Sequence, residues 1–298
     1  LEFRKKQLKT QSFYNLKKRF NLHIVRFLEN YKLHSIKIDT INKWYIELDK
    51  NKITTEHKNK IIGEFRSFLN YSRDNYNFDN KVIAQLQTYK IETPTKVINE
   101  AEINFWTYDE FQQFIKVVDD EFYYTMFNFL YFTGLRYGEM CALNWNDFDE
   151  VAKTIKITKT LTNKIENEIY LITSPKTKNS LRIVDLDDNL YQLLLKHKNK
   201  EKQIYNFKEN MFIFGNVRYL PATTFRRKLD YYIKLANVKK ITIHGFRHSH
   251  ISLLIHLGCD PREVALRVGD TVQMIEKTYI HLFPEKKKDT ITKLNSLK

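Results

Sequence analysis

Residues 241–250 read ITIHGFRHSH, a stretch in which His and Arg side chains stand between two apolar runs. His244 and Arg247 are three residues apart, so on a helix they share one face. Such a cluster is compatible with a metal site, a phosphate site or a solvated surface. The rest of the sequence is needed to decide among these three.

The chain carries a large positive charge, concentrated in its first third. Its 298 residues include 50 Lys and Arg against 35 Asp and Glu, a formal net charge of +15. Residues 1–97 hold 20 basic and 10 acidic residues, whereas residues 98–298 hold 30 and 25. A surplus of this size indicates a polyanionic partner, either nucleic acid or a membrane surface.

Several features favour nucleic acid over a membrane. No run of 18 apolar residues occurs, and the first ten residues lack the apolar core of a signal peptide. Cys141 and Cys259 do not form a CxxC pair, which fits a reduced cytoplasmic setting and disfavours a structural zinc site. We therefore favour nucleic acid as the partner and expect no membrane association. The motifs described below lead us to expect double-stranded DNA as that partner, with no cofactor and no bound metal.

The spacing of apolar residues predicts a mainly α protein with a small antiparallel β-sheet, an α+β fold. Residues 91–103 have the Pro, Thr and charged residues of a linker. We predict a helical domain over 1–97 and a second domain over 98–298, which includes a charged C-terminal tail. Helices of the first domain are predicted at 13–28, 40–48, from 54 to about 69, and 81–89.

The second domain is predicted to be helical around a short β-rich insertion. Thr107 and Glu110 form a capping box before an apolar run. Residues 121–132 are apolar on nearly every face, so this helix is expected at the centre, and Gly134 suits its end. Strands are predicted at 154–158, 168–172 and 181–184, and further helices at 189–197, 223–235, 244–256, 261–268 and 271–282.

Basic side chains occupy the faces of the first domain's helices opposite the apolar positions. Any single lysine is most simply a solvated residue, but the charge excess of the whole domain favours a surface that contacts phosphates. The candidate phosphate-contacting residues in this domain are Lys17, Lys18, Arg19, Lys58, Lys60 and Arg66.

Three further motifs carry groups that match His244 and Arg247 chemically. TGLRYGEM (133–140) contains Arg136, TSPKTKNSLRIV (173–184) contains Lys176, and EKTYIHL (276–282) contains Tyr279. Cutting a phosphodiester without a metal needs a nucleophile, cationic donors for the charge that develops on phosphate, and an acid for the departing oxygen. Two Arg, a Lys, a His and a Tyr complete that set, with Arg the residue best suited to hold phosphate.

The order of these motifs resembles the tyrosine recombinase (phage integrase) family, over roughly residues 104–283. TGLRxxE, PKTKxSxR, HxxRH and TYxHL are all recognisable, in the family's order. The resemblance implies a catalytic domain and a smaller, SAM-like core-binding domain that clamp DNA from opposite sides. A type IB topoisomerase would use similar chemistry, but these motifs and the modest first domain favour a recombinase.

The resemblance also implies roles for individual residues. Tyr279 would form a 3′-phosphotyrosyl link, Lys176 would act as general acid toward the 5′ oxygen, and His244 would assist proton transfer. Arg136 and Arg247 would hold the scissile phosphate. The residues expected to support these groups are Glu139, His248 and His281, and those expected to contact DNA beside them are Lys178 and Arg182. Support of the sheet is the other role open to Arg182.

Asp270 departs from the family pattern and is grouped with the catalytic residues by its position alone. The family usually has His or Trp after the Gly of this motif, and either donates a hydrogen bond to phosphate, whereas an ionised Asp only accepts. Three interpretations remain: a helix cap that turns away, a residue that orients His244 or an Arg, or a mark of a slower or engineered enzyme. We favour the cap, because Asp270 precedes a predicted helix.

A metal site is the main alternative for the opening stretch. His244 and His248 have the spacing of paired zinc ligands, and Asp270 is a candidate third ligand. However, Arg247 would place a positive charge beside the cation, and no Glu base stands between the two histidines. We therefore favour phosphate binding.

The expected protein is a site-specific recombinase that integrates or excises a mobile element such as a phage or genomic island, in the bacterial cytoplasm at the nucleoid. The alternative is a DNA-binding protein that kept the fold but has impaired catalysis. The resemblance implies a homotetramer on two duplexes, with residues 285–298 our candidate for an exchanged segment and accessory proteins for excision or DNA bending. It also leads us to expect an arm-binding domain ahead of Leu1.

Overall fold

The chain divides into two compact units in the computed structural model. Unit 1 comprises Leu1–Lys96 and Lys164–Ile169, and unit 2 comprises Val97–Asn163 and Tyr170–Lys298. The residues that the structure describes are 1–91, 104–165, 168–174, 180–203 and 206–279.

Unit 1 is helical, as its apolar spacing predicts. Trp44 and Phe65 are fully buried in its core, with ring centroids 4.7 Å apart. Thr54 caps the longest helix by accepting a hydrogen bond from the His57 backbone N–H. The helices of unit 1 are α1 (Glu2–Gln7), α2 (Thr10–Phe20), α3 (Arg26–Leu28), α4 (Ile38–Lys50), α5 (Thr55–Tyr76) and α6 (Asn80–Ala84), with a π-helical turn at Asn21–Val25 and a 3-10 turn at Leu33–Ser35. The prediction of a helix over 81–89 is wrong at its C-terminal end, because the helical hydrogen bonding stops near Leu86.

Unit 2 is built around the predicted central helix. Its helices are α7 (Tyr108–Ile115), α8 (Glu121–Thr133), α9 (Tyr137–Ala142), α10 (Asp188–Glu201), α11 (Ala222–Ala236), α12 (Gly245–His256), α13 (Pro261–Val268) and α14 (Val272–Tyr279), with a 3-10 turn at Trp145–Asp147. Helix α8 is buried on most of its surface and packs against α7, α10 and α12. The capping box of Thr107 and Glu110 opens α7, and Gly134 ends α8 in the left-handed conformation, with φ of 63°.

The predicted α+β class is confirmed by a small antiparallel sheet in unit 2. The strands in the described ranges are β1 (Phe148–Asp149), β2 (Thr154–Ile157), β3 (Thr160–Ile165), β4 (Glu168–Thr173) and β5 (Arg182–Asp185). Strands β1, β2 and β5 form one sheet in that order, with Thr154 opposite Asp185, and β3 pairs with β4 in a second sheet. Strand β3 was not predicted, because its sequence TLTNKI lacks a regular alternation of apolar residues.

The fold of unit 2 brings four segments of the chain into hydrogen-bonding contact. The start of α9, the first turn of α12, the connection between α13 and α14, and strand β5 all exchange hydrogen bonds there. These segments carry most of the motif residues. Among the helices of the described ranges, none is both long and apolar enough to cross a bilayer.

Candidate active site

Arg247 lies at the centre of the site, in the first turn of α12, with only 2% of its surface exposed. Its Nη1 donates to the carbonyl oxygens of Gly134 at 3.0 Å and Val268 at 2.6 Å, and its Nη2 donates to Asp270 Oδ2 at 2.9 Å. Burial, and then the nearby Arg136, lower the pKa of Arg247 to about 10. The guanidinium therefore remains charged at neutral pH, and its orientation is fixed by the ends of α8 and α13.

Asp270 joins the two arginines of the site. Its Oδ2 accepts from Arg136 Nη2 at 3.1 Å as well as from Arg247, and Arg136 also donates to the Gly269 carbonyl at 3.3 Å. Burial raises the pKa of Asp270, but the Thr271 backbone N–H and Arg247 more than offset burial and hold it below its usual value. An ionised carboxylate therefore bridges the two guanidinium groups.

The expectation that Asp270 turns away to cap the last helix is wrong. The cap of α14 is Thr271, whose Oγ1 accepts a hydrogen bond from the Met274 backbone N–H at 3.2 Å. Asp270 binds the Thr271 N–H with its other oxygen at 3.0 Å and points its carboxylate inward. The attraction of two partly buried guanidinium groups decides this orientation, which matches the interpretation of Asp270 as a residue that orients an arginine.

Glu139 holds Arg136 from the opposite side. The buried Glu139 accepts from Arg136 Nη1 at 3.0 Å through Oε1 and from Arg182 Nη2 at 2.9 Å through Oε2. Burial by itself raises the pKa of Glu139, but Arg182 and Arg136 lower it below its usual value. Of the two roles open to Arg182, the contacts favour the structural one over a DNA contact, because its side chain is 6% exposed and also donates to the backbone carbonyls of Ser180 and Arg267.

Charges of opposite sign alternate through the site. Ion pairs link Arg182 to Glu139, Glu139 to Arg136, Arg136 to Asp270, and Asp270 to Arg247. Three guanidinium groups against two carboxylates leave one net positive charge. Because Arg136 is the most exposed of the three, with 36% of its side chain accessible, an anion that enters the site meets Arg136 first.

Tyr279 lies at the end of α14 with its hydroxyl inside the site. Its side chain is almost fully buried, and its Oη contacts Nδ1 of His248 in the first turn of α12. The ring of His244, the N-cap residue of α12, stands edge-on to the His248 ring with centroids 4.7 Å apart. The nucleophile expected from the sequence and the HxxR helix therefore meet through His248.

The two imidazoles near Tyr279 have pKa values below the usual range, whereas the pKa of its phenol is raised. Burial and then His244 lower the pKa of His248 to about 4, and burial and then Arg247 lower that of His244. Burial raises the pKa of the Tyr279 phenol above its usual value. The tyrosine is thus protonated at rest, and its immediate neighbour is an uncharged imidazole.

The arrangement of donors does not fit the metal alternative. Asp270, the candidate third ligand of such a metal, accepts hydrogen bonds from two guanidinium groups. His248, another candidate ligand, contacts the Tyr279 hydroxyl. Across residues 1–91 and the described parts of unit 2, no group of three His, Cys, Asp or Glu side chains is placed to hold a metal ion.

Some predicted site residues fall outside the described part of the chain. These are Lys176, Lys178, His281 and the tail 285–298.

Three of the residues predicted to contact DNA have partners within unit 1. Arg19 Nε binds Glu64 at 3.0 Å in a largely buried ion pair, and Arg66 donates to the Leu86 carbonyl. Lys58 Nζ binds Asp49 at 2.7 Å. Of the other three residues, Lys17 is half-buried, whereas Lys18 and Lys60 are exposed.

The sequence did not indicate which groups hold the Arg247 side chain in place. Backbone carbonyls of Gly134 and Val268 have no side-chain signature, so no pattern of residues identifies them. The buried His250 binds Arg267 Nε at 3.2 Å and lies where a Cβ on Gly134 would be, with His250 Cδ2 only 2.5 Å from that position. The one sequence signal was the pattern HSH at residues 248–250, which indicates polar positions on α12 after Arg247.

A mainly helical domain in which a buried HxxR helix meets a second arginine and a tyrosine defines the class of tyrosine recombinases. The chain belongs to the phage integrase family, because the family's sequence model matches residues 104–286, more than half of the chain. Among solved structures, the Tn1549 transposon integrase in complex with a circular intermediate DNA superimposes with a TM-score of 0.71 at 16% identity, over 98% of this chain and 95% of that one. This likeness establishes the fold.

Curated relatives include integrases of mobile elements. The ICEBs1 integrase of Bacillus subtilis (strain 168) is 33% identical over 210 residues, which cover 67% of this chain and 56% of that relative. The integrase of Staphylococcus phage L54a is 25% identical over 286 residues, which cover 88% of this chain and 80% of the relative. This chain thus spans little more than half of the ICEBs1 integrase.

Proposed function

We propose that this protein is a site-specific recombinase that cuts and rejoins DNA through a 3′-phosphotyrosyl intermediate and so integrates or excises a mobile element. One observation carries the proposal: the Tyr279 hydroxyl lies inside the same site as Arg136 and Arg247, within one compact unit. Family membership and the two integrase relatives support the same reaction.

The proposed reaction assigns each group one step. Tyr279 Oη attacks phosphorus, so that an Oη–P bond forms while the bond from phosphorus to the 5′ oxygen breaks. Arg136 and Arg247 take up the charge on the non-bridging oxygens. Lys176 protonates the departing 5′ oxygen, and His244 assists proton transfer as the resemblance implies. Rejoining reverses these steps without an energy cofactor, because the phosphotyrosyl bond conserves the phosphodiester energy.

Double-stranded DNA is the proposed partner, bound by a core-binding domain over 1–97 and by a catalytic domain over 98–298. The exposed Lys18 and Lys60 are the best-placed phosphate contacts of the first domain. Replacing each with Gln is expected to reduce the salt dependence of DNA binding by about one unit of log–log slope. Asn15→Ala, an exposed and uncharged position on α2, serves as the control for folding.

The resemblance to the family motivates a proposal for the assembly and the location. We propose that four copies act on two duplexes in the bacterial cytoplasm, at the nucleoid, with accessory proteins that bias excision or bend the DNA. Light scattering of the DNA complex tests the stoichiometry, with a complex of four protein chains and two duplexes as the expected result.

The experiment that tests the function uses DNA selected by this protein from a random-sequence pool. Copies of the selected duplex, each with one nick at a different position, are incubated with the protein in EDTA and separated on a denaturing gel. A protein-linked DNA band that is absent from the Tyr279→Phe variant is the expected result. A duplex that is bound but never linked contradicts the proposal.

A DNA-binding protein with impaired catalysis is the second candidate, and Asp270 is the observation that favours it. The Asp270 carboxylate occupies donors of both arginines that catalysis needs for phosphate. This candidate predicts tight binding with no adduct for the wild-type protein, and an adduct only for Asp270→His.

A further inference from the structure

The contact between His248 and Tyr279 has no role in the mechanism proposed above. Tyr279 Oη touches His248 Nδ1, and within the described part of the chain the hydroxyl has no hydrogen bond to His244. His248 reaches across from the first turn of α12 to the last turn of α14. The imidazole therefore touches the atom that is proposed to attack phosphorus.

We propose that His248 is the base that accepts the Tyr279 proton. The inference rests on the proposed recombinase function and adds a catalytic residue to it. As the Oη–P bond forms, the Oη–H bond breaks and the proton moves to Nδ1 of His248. When DNA is rejoined, His248 returns this proton to Oη, so the enzyme ends each cycle unchanged.

The state of both partners before the reaction suits this transfer. Because burial raises the pKa of Tyr279, little phenolate exists at neutral pH and the attacking oxygen needs a base. His248 is neutral and has a free lone pair on Nδ1 when its proton is on Nε2. The groups that face His248 include His244, Arg247 and Tyr279; burial, then His244 and the charged Arg247, disfavour a second proton on the His248 ring.

Binding of DNA should raise the proton affinity of His248, which is the change that proton transfer from Tyr279 needs. A phosphate held by Arg136 and Arg247 brings negative charge close to His248, and a nearby anion raises the proton affinity of an imidazole. His248 would thus become a stronger base only when the substrate is in place. His244 is less suited to this role, because the Tyr279 hydroxyl contacts Nδ1 of His248 instead.

The test separates a base from a residue that only positions the tyrosine. His248→Asn keeps a polar atom near the position of Nδ1 but has no basic nitrogen. We expect the single-turnover rate of adduct formation to fall at least about 100-fold at pH 7 and to rise with pH as hydroxide replaces the base. In His248→Ala, added imidazole should restore part of the rate. His256→Asn, an exposed position at the end of the same helix, should react as the wild type does.

The outcomes distinguish this inference from the function on which it rests. A His248→Asn rate within tenfold of the wild type, with the wild-type pH profile, overturns the role of His248 as a base and leaves recombination intact. The absence of rescue by imidazole in a folded His248→Ala variant overturns it as well. Failure of the wild-type protein to form any adduct on bound DNA instead rejects the proposed function itself.

Discussion

Asp270 Oδ2 lies 2.9 Å from Arg247 Nη2, and the same oxygen is 3.1 Å from Arg136 Nη2. A carboxylate thus holds the two guanidinium groups together at the position proposed for the scissile phosphate. The geometry resembles that of an oxyanion bound between two arginines, which explains how an acidic residue is accommodated there. It also means that phosphate must share or displace this contact.

The Asp270–Arg247 pair is expected to stabilise the fold. Asp270→Ala should lower the free energy of unfolding by about 1–3 kcal/mol, because a buried guanidinium loses a charged acceptor. Urea unfolding followed by circular dichroism measures the change. Asp188→Ala is the matched control: Asp188 lies 2.6 Å from Lys153 but is 84% exposed, so its removal should have little effect. Equal losses in both variants would contradict this assignment.

Glu139 and Arg182 are expected to behave as one buried unit. Removing Glu139 by substitution with Ala should cost about 3–5 kcal/mol, because the nearly inaccessible Arg182 is then left unpaired. The double variant Glu139→Ala/Arg182→Ala should lose clearly less than the sum of the two single variants. Strict additivity in chemical unfolding would show that the two side chains do not act together.

Gly134 is expected to tolerate no side chain. It adopts φ of 63°, and a Cβ would lie 2.5 Å from His250 Cδ2. Gly258 is a suitable control because it also has positive φ, 82°, but no atom lies within 4 Å of the corresponding position. Gly134→Ala should therefore raise the urea sensitivity clearly more than Gly258→Ala, whose cost is about 1 kcal/mol from the backbone alone. Similar midpoints for the two variants would refute the predicted clash.

Two buried histidines should make the protein sensitive to mild acid. Burial lowers the pKa of His248 to about 4 and that of His250 to about 3, whereas both titrate near pH 6.5 in an unfolded chain. Between these values the unfolded state binds more protons, so stability falls as pH decreases. From pH 7 to pH 5 we expect a loss of about 2 kcal/mol per histidine.

Urea unfolding at the two pH values measures this loss. His248→Asn should lose less stability on acidification than the wild type, while His256→Asn, at an exposed position on the same helix, should lose as much as the wild type. A free energy of unfolding that does not change between pH 7 and pH 5 would disagree with burial of neutral imidazoles.

The elements with a strong local signal were predictable from sequence, and the long-range contacts were not. The capping box at Thr107 and the apolar helix α8 follow from local spacing. The orientation of Asp270 depends on guanidinium groups from segments more than 20 and 130 residues away, so a rule based on its position before a helix failed. For the same reason, local spacing did not show that Arg19 pairs with Glu64 in unit 1. Nor did it show that Arg182 pairs with Glu139.

The most direct test of the account is to identify the residue that becomes linked to DNA. The adduct formed in EDTA on the selected duplex is digested with nuclease and trypsin, and the modified peptide is sequenced by mass spectrometry. The account predicts a nucleotide phosphate on Tyr279, within the peptide spanning 278–286. A nucleotide on another residue, or cleavage that requires added metal and leaves no linked peptide, would contradict it.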